Sequence, residues 1–147
     1  MAFRGLYEYT LDAKNRLTIP AKFRAALSGG VILAKSLETC VSIWTVEGWE
    51  QFTEKAIGSR DPFSPEARDL QRYFHAGSFD AQLDSAGRIM LPQPLTRSAR
   101  LRKEVTVVGN YTTIEVWDRE TWQDYERDVD AGAAETARRL AGQRSHS

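Results

Sequence analysis

Two aspartate–arginine pairs with the same spacing are the residues of this sequence best suited to chemistry. Asp12 precedes Arg16 by four residues, and Asp84 precedes Arg88 by four. A guanidinium can donate two parallel hydrogen bonds to guanine O6 and N7 or to a phosphate, so an arginine on a rigid turn suits nucleic-acid binding. The alternative is that each aspartate only forms a salt bridge that fastens its own turn. The two interpretations are compatible, because the carboxylate could orient the guanidinium.

Further basic side chains near these pairs are candidates for phosphate contacts, which contribute affinity but little sequence information. They are Lys14, Lys22, Arg24, Arg97 and Arg100. Taken singly, each is better explained as an ordinary surface charge.

The charges alternate along the chain although the formal net charge is zero. Residues 1–36 hold six basic and two acidic residues, and residues 85–103 hold five basic residues and no acid. Residues 37–71 hold seven acids against three bases, and residues 111–135 hold eight against two. Chance and ordinary solvated helices are one explanation, but a pattern that repeats in phase favours one basic face and one acidic face.

Residue types for catalysis or metal binding are sparse. One cysteine, Cys40, and two distant histidines, His75 and His146, do not supply the ligand set of a zinc site. Ser64 and Ser98 have no histidine neighbour in sequence, so no nucleophilic triad is indicated. Phosphate-loop and dinucleotide-binding glycine motifs are absent from the sequence. We therefore predict no catalytic residue, metal or cofactor. A small hydrolase is the least favoured of the three function classes considered, behind a DNA-binding protein and an interaction scaffold.

The four tryptophans admit two interpretations. Aromatic rings can stack on bases, but these rings lie in β-branched segments or at helical spacing, which favours packing in the core. They are Trp44, Trp49, Trp117 and Trp122.

The elements that must position the Asp–Arg pairs occur twice, because the chain is an internal duplication. Gly5–Leu27 reappears as Gly77–Ala99 at a constant offset of 72, and with one residue of gap Trp44 matches Trp117. In each copy an alternating segment predicts a strand, and the three residues between Asp and Arg predict a hairpin turn whose last residue is left-handed. Asn15 and Gly87 suit that position. A return strand, a proline, a short helix, two β-branched strands and an amphipathic helix follow in each copy.

The copies define the expected domain organisation. Half-domains are predicted at residues 5–52 and 77–125, with a helical linker at 53–76 in which Ser64 could cap a helix that begins with proline. Residues 130–147 are helix-permissive but poor in large apolar side chains, so we expect a frayed or disordered tail. No stretch is apolar enough to span a membrane or to act as a signal peptide, and one cysteine fits a reducing compartment, so we expect a cytoplasmic protein without membrane contact.

The paired segments LDAKNRLTIPAKFR and LDSAGRIMLP resemble the MraZ family, and the resemblance extends from Met1 to about Val129. It implies an α+β fold of two tandem AbrB-like swapped-hairpin half-domains. These would form an intrachain pseudo-dimer with a β-barrel-like core flanked by short helices. Two matching turns within the same frame of elements make the resemblance specific, whereas one such turn would be a weak signal.

The resemblance also implies a function. Members of the family bind double-stranded DNA at promoter repeats of the division and cell-wall gene cluster, usually as repressors, and assemble into ring-shaped homo-oligomers. It therefore implies a nucleoid-associated regulator. The runner-up is a ring-forming interaction scaffold in which the Asp–Arg turns are structural only.

This chain departs from the family pattern at two positions. Asn15 replaces the turn glycine of the first copy, and Ala86 stands in the second copy where the first has Lys14. The asparagine should preserve the turn geometry. The missing lysine suggests that the two copies bind DNA with unequal affinity.

Overall fold

The computed structural model describes residues 2–145 and has the same order of elements in both copies. The first copy comprises β1 (Phe3–Thr10), β2 (Arg16–Thr18), α1 (Ala21–Arg24), β3 (Val31–Lys35), β4 (Val41–Thr45) and α2 (Val46–Thr53). A π-helical turn (Glu54–Gly58) and α3 (Pro65–Ala76) connect it to the second copy. That copy comprises β5 (Ser78–Ala81), β6 (Arg88–Met90), α4 (Gln93–Ser98), β7 (Glu104–Tyr111), β8 (Thr113–Asp118) and α5 (Arg119–Ser145). The α+β class predicted from the sequence is confirmed.

The two copies exchange their first strands. In the main sheet the strands lie in the order β1-β7-β8-β4-β3-β5, with antiparallel pairing throughout. β1 of the first copy therefore pairs with β7 of the second, and β5 of the second pairs with β3 of the first. This is the swapped-hairpin arrangement expected for an intrachain pseudo-dimer.

A second, two-stranded sheet joins the return strands of the two hairpins. β2 pairs antiparallel with β6, and Leu17 lies opposite Ile89 at its centre. Each hairpin thus leaves the main sheet at its turn and pairs with its counterpart from the other copy. For that reason the described strands close no continuous barrel, and the core is an open six-stranded sheet with the short sheet packed on one face.

Alternation along the strands separates the two faces of the main sheet. On one face, Leu33, Ile43 and their neighbours pack against Leu17 and Ile89 of the short sheet and against α1 and α4, in the largest hydrophobic cluster. On the other face, Trp44 packs against the helices that follow it in sequence. We call these the turn face and the helical face of the sheet.

Helix ends follow the local sequence. The Ser64 side chain accepts a hydrogen bond from the Ala67 N–H at 3.3 Å, and Pro65 opens α3, so the predicted cap is confirmed. Thr45 caps α2 in the same manner, accepting from Gly48 N–H at 2.9 Å.

The C-terminal segment differs from the expected frayed or disordered tail. α5 runs without interruption from Arg119 to Ser145, and residues 146–147 of the predicted tail lie outside the described part of the chain. Its first turns are anchored because Trp122 and Tyr125 pack on Trp117. Extending an anchored helix requires no new nucleation, and the alanine, glutamate and arginine of this segment are good helix formers.

Candidate nucleic-acid interface

The first Asp–Arg turn is held together by the aspartate. One carboxylate oxygen of Asp12, Oδ1, accepts hydrogen bonds from the backbone N–H groups of Lys14 at 2.9 Å and Arg16 at 2.8 Å. The other, Oδ2, accepts from Arg16 Nε at 2.6 Å. Asn15 has a φ of +57°, the left-handed conformation that the turn requires. The carboxylate therefore fixes both the backbone of the turn and the direction of the guanidinium.

The second turn repeats this geometry contact for contact. Asp84 Oδ1 accepts from the N–H groups of Ala86 at 2.9 Å and Arg88 at 2.8 Å, and Oδ2 accepts from Arg88 Nε at 2.9 Å. Gly87 takes the left-handed position with a φ of +75°. The backbone hydrogen bonds from Arg16 and Arg88 lower the pKa of Asp12 and Asp84 below the ordinary aspartate value. Both carboxylates are thus held in the ionised form that pairs with arginine.

The two-stranded sheet brings the two arginines onto one surface. Arg16 lies opposite Met90 and Arg88 lies opposite Thr18, on either side of the buried Leu17–Ile89 pair. Residues two apart on a strand share a face, and so do residues directly opposite each other on neighbouring strands. Because Thr18 is two residues from Arg16 and lies opposite Arg88, both arginines project from the same face, away from the core. Diagonal neighbours of this kind lie about 7–8 Å apart, with their Cβ atoms somewhat closer. The paired turns thus form one platform rather than two separate sites.

Each guanidinium is hydrogen-bonded at Nε and has no partner in the described chain at its two Nη atoms. Nε is bound to the aspartate, while neither Nη atom of Arg16 or Arg88 has a hydrogen-bond partner among residues 2–145. The side chains are 29% and 35% exposed. The expected salt bridge between aspartate and arginine is therefore present in both turns. It still leaves the distal edge of each guanidinium able to donate two hydrogen bonds to an acceptor in solvent.

Two residues on this platform were not among the sequence-based candidates. Thr18 and Met90 share the exposed face with the arginines, and Met90 is 57% exposed. Strand alternation in RIMLP could have indicated this position, because it places Met90 on the face opposite to the buried Ile89 and Leu91. Apolar and threonine side chains at such positions can contact the methyl group of thymine.

The remaining basic candidates are placed less uniformly. Lys14 is exposed on the first turn, and Arg97 and Arg100 are exposed at and just beyond α4. Lys22 Nζ lies 5.2 Å from the centre of the Tyr7 ring, a cation–π distance. Arg24 is half-buried, and its Nε donates to Ile19 O at 2.9 Å. Arg24 therefore has a structural contact that its sequence position did not indicate.

Other sequence expectations concern groups away from this platform. Trp44, Trp49 and Trp117 are buried and Trp122 packs against Trp117, which confirms core packing of the tryptophans. Within residues 2–145 there is no group of three His, Cys, Asp or Glu side chains that could hold a metal ion, and His146 lies outside that range. None of the described helices combines the length and apolarity needed to cross a membrane.

Comparison with known proteins shows the same duplication. The family model described as "MraZ protein, putative antitoxin-like" matches twice, at residues 2–73 and 74–144. A protein of Thermoanaerobacter pseudethanolicus and one of Caldanaerobacter subterraneus subsp. tengcongensis are each 35% identical to this chain over 136 residues. Those matches cover 92% of this chain and 94% of each relative, and both relatives bear the name "Transcriptional regulator MraZ".

Proposed function

Because this chain belongs to the MraZ family, we propose that it regulates transcription by binding double-stranded DNA through its two Asp–Arg turns. One observation carries the assignment of the site: Arg16 and Arg88 share an exposed face, and each keeps both Nη atoms free of partners in the described chain. The relatives are named as regulators and not as enzymes, in agreement with the absence of a catalytic motif from the sequence.

In this proposal Arg16 and Arg88 contact base edges in the major groove. The free Nη pair of each guanidinium matches the O6 and N7 acceptors of guanine. Binding of Nε by the aspartate before DNA arrives reduces the side-chain entropy that would otherwise be lost on binding. Asp12, Asn15, Asp84 and Gly87 shape the turns and do not touch the DNA themselves.

The surrounding cations supply phosphate contacts. Lys14, Arg97 and Arg100 are exposed, and Lys22 and Arg24 can reach a phosphate only from the positions that Tyr7 and Ile19 define. Since Ala86 replaces lysine in the second turn, the first turn carries one more cation. We expect the first copy to contribute more affinity.

The finer features of the proposal come from the family resemblance. The half-domains are residues 5–52 and 77–125, joined by the linker 53–76. The targets are repeats in the promoter of the division and cell-wall gene cluster, and the regulation is repression by a nucleoid-associated protein. Several chains form a ring, which presents many turns to successive repeats and raises affinity through effective concentration.

A second candidate has an observation in its favour. Both arginines form ion pairs within their own turns, at 2.6 Å in the first and 2.9 Å in the second. If these pairs were the whole role of the turns, the protein would be a ring-forming interaction scaffold without DNA binding.

The deciding experiment is footprinting of the protein on the promoter upstream of its own gene. We expect protection of repeated sites, with competition by the promoter fragment but not by unrelated DNA of equal length. Affinity should fall with salt along a slope near −0.9 per phosphate contacted. No protection, or binding indifferent to salt, would favour the scaffold.

Assembly is tested separately by analytical ultracentrifugation at micromolar concentration. A ring should sediment as a multiple of the 16.6 kDa chain. A monomer under these conditions would contradict the ring while leaving the DNA-binding proposal to the footprint.

A further inference from the structure

α5 presents an apolar stripe to solvent along most of its length. Its first turns pack on Trp117, but from residue 127 to residue 143 every residue is exposed apart from the half-buried Gly132. A surface helix of a globular protein normally buries its apolar stripe against another element. At 3.6 residues per turn, six positions lie within an arc of about 100° and line one shallow groove. These positions, which we call the α5 stripe, are Tyr125, Val129, Gly132, Ala133, Thr136 and Leu140.

The composition of the α5 stripe is unfavourable for a helix that faces only water. Tyr125 is 40% exposed, Val129 45% and Leu140 56%. At the centre lies Gly132, and a Cβ built there would meet no atom within 4 Å. Glycine inside a helix is destabilising relative to alanine, and nothing packed on this position in the described chain requires it. A glycine does allow a second backbone to approach closely at this point.

The spacing of the α5 stripe is the same when it is read from either end. From Tyr125 to Leu140 the intervals are four, three, one, three and four residues, centred between Gly132 and Ala133. A two-fold contact uses the same patch on both chains, so such a patch must be complementary to itself. An antiparallel copy of α5 would place Tyr125 opposite Leu140 and bring the small residues at the centre together on the two-fold axis.

The charges of α5 also favour an antiparallel partner. Residues 119–130 hold five acids and two bases, a net charge of −3, whereas residues 131–145 hold three bases and one acid, a net charge of +2. A parallel pair would set like charges side by side, and an antiparallel pair sets each half against its opposite.

One pair of charges illustrates this complementarity. Asp128 and Arg139 lie along the same border of the α5 stripe, and neither forms an ion pair within residues 2–145. In an antiparallel pair the same borders of the two helices face each other. Arg139 of one copy then lies about 3 Å along the axis from the level of Asp128 in the other, within reach of its carboxylate.

We propose that two copies of this chain associate through antiparallel pairing of their α5 helices, with the two-fold axis between Gly132 and Ala133. The pairing buries Tyr125, Val129 and Leu140 of each copy. It also gives the exposed part of α5 the packing without which helices of this length are marginal in water. A two-fold contact is complete with two chains, so it differs from the head-to-tail contacts that close a ring. The Asp–Arg platform contributes no residue to it, so this inference does not rest on the proposed DNA-binding function.

Distances between spin labels on the full-length protein test the pairing. Cys40 is buried, and burial raises the pKa of its thiol, so we expect only an introduced cysteine to be labelled. Gln123→Cys and Ala134→Cys each place one label on the side of α5 away from the stripe. Antiparallel pairing separates the two labels along the helix axis by about 5 Å at residue 134 and by about 30 Å at residue 123.

We therefore expect electron paramagnetic resonance to give a clearly longer distance at residue 123 than at residue 134. Equal distances at the two positions would indicate a parallel pair, and the absence of a defined distance at either would indicate no pair. Both of these results overturn the proposal.

Two neighbouring alanines supply a matched pair of variants. Ala133→Glu places a carboxylate on the α5 stripe, next to its own counterpart across the axis, whereas Ala134→Glu places it on the opposite face. In the Gln123→Cys background, we expect Ala133→Glu to weaken pairing at least about tenfold and Ala134→Glu to pair as the parent does. Equal effects of the two variants would contradict the assigned face.

A charge exchange tests the direction and register of the pair. Asp128→Arg and Arg139→Asp each bring like charges together in a pair of identical chains. We expect each variant alone to pair about three- to tenfold more weakly than the parent, and an equimolar mixture of the two to recover the parental level. A mixture that pairs no better than its components would overturn the proposed antiparallel register.

Discussion

The guanidinium of Arg24 packs directly over Gly87 in the turn of the other copy. A Cβ placed on Gly87 would lie 2.5 Å from Arg24 Nε, closer than Cβ atoms approach other heavy atoms, so the Arg24 side chain would have to shift. The same nitrogen donates to Ile19 O at 2.9 Å, and the Ile19 N–H donates to Gly87 O at 2.9 Å. Arg24 thus connects the first copy to the second turn. In the second copy the repeat places Thr96 where the first has Arg24, and we infer that this shorter side chain allows the first turn to carry Asn15.

This arrangement predicts that the two turn positions respond unequally to exchange of their residues. Gly87→Asn keeps a residue that tolerates positive φ but collides with Arg24, so we expect it to lower the free energy of unfolding by about 1–3 kcal/mol. Asn15→Gly should change the free energy by less than about 1 kcal/mol. Urea denaturation of both variants measures the difference.

Arg24→Ala supplies the control for that prediction. In a double-mutant cycle, Gly87→Asn should be less harmful when Arg24 is already alanine, because the collision is gone. Equal costs of Gly87→Asn in both backgrounds would mean that the conformation of residue 87, and not its contact with Arg24, excludes the side chain.

A second prediction separates DNA contact from turn fastening. Arg16→Ala and Arg88→Ala remove the Nη donors but leave the backbone hydrogen bonds of Asp12 and Asp84 in place. We expect each to weaken specific binding by about 1–3 kcal/mol, with the larger loss for Arg16, whose turn also holds Lys14. The melting temperature should change little. Binding is measured on the promoter fragment and stability by thermal unfolding.

Asp12→Asn is the matched control for the first turn. Its side-chain oxygen can still accept from Lys14 and Arg16 N–H, while the charge that orients the guanidinium is lost. We expect a smaller loss of binding than for Arg16→Ala. If the arginine variants lost stability but retained parental operator affinity, the turns would be fasteners and the site assignment would be wrong.

Much of the fold was predictable because its determinants are local. The turn residues, the prolines and the strand alternation are each encoded within a few positions, and the duplication made every element visible twice. The pairing of β1 with β7 is different. It joins residues about a hundred positions apart, and it was expected only from the family resemblance, since alternation does not state which strand a strand will pair with.

The site was predictable from the sequence to a similar extent as the fold. Asp12, Arg16 and their counterparts stand out through spacing, but the contact of Arg24 with Gly87 and the shared face of Met90 and Arg16 depend on the exchange of hairpins between copies. The pairing of Ser42 with Glu115 was not predicted either, because these equivalent positions become neighbours only in the folded sheet.

A third prediction concerns stability in acid. Backbone hydrogen bonds from Arg16 and Arg88 lower the pKa of Asp12 and Asp84 in the folded state, relative to about 3.9 in an unfolded chain. A group with a depressed folded pKa contributes stability above its unfolded pKa and loses it as pH falls through the folded value. We therefore expect the Asp12→Asn/Asp84→Asn double variant to be less stable than the parent at pH 7 and to lose less stability between pH 5 and pH 2.

Urea denaturation across that pH range checks the third prediction. Asp69→Asn is the control, because Asp69 is exposed on α3 and pairs with Arg72 only at the surface, at 3.5 Å. It should follow the parent protein. If the free energy of unfolding fell equally with pH in the parent and the double variant, these two carboxylates would not contribute to the loss of stability in acid.

The last prediction concerns Met90, which lies opposite Arg16 on the exposed face of the two-stranded sheet. If this face enters the major groove, the methionine can pack on the methyl group of a thymine beside the contacted guanine. Burying one methyl group contributes about 0.8 kcal/mol, roughly a fourfold change in Kd. Met90→Ala should weaken binding by about that amount, and replacing the contacted thymine by uracil should do the same for the parent protein. The two changes together should cost no more than either alone, because both remove one contact. Leu37→Ala, at an exposed apolar position in the turn between β3 and β4, is the control and should leave Kd unchanged. Additive losses from Met90→Ala and uracil at every thymine of the site would show that Met90 does not contact a thymine methyl.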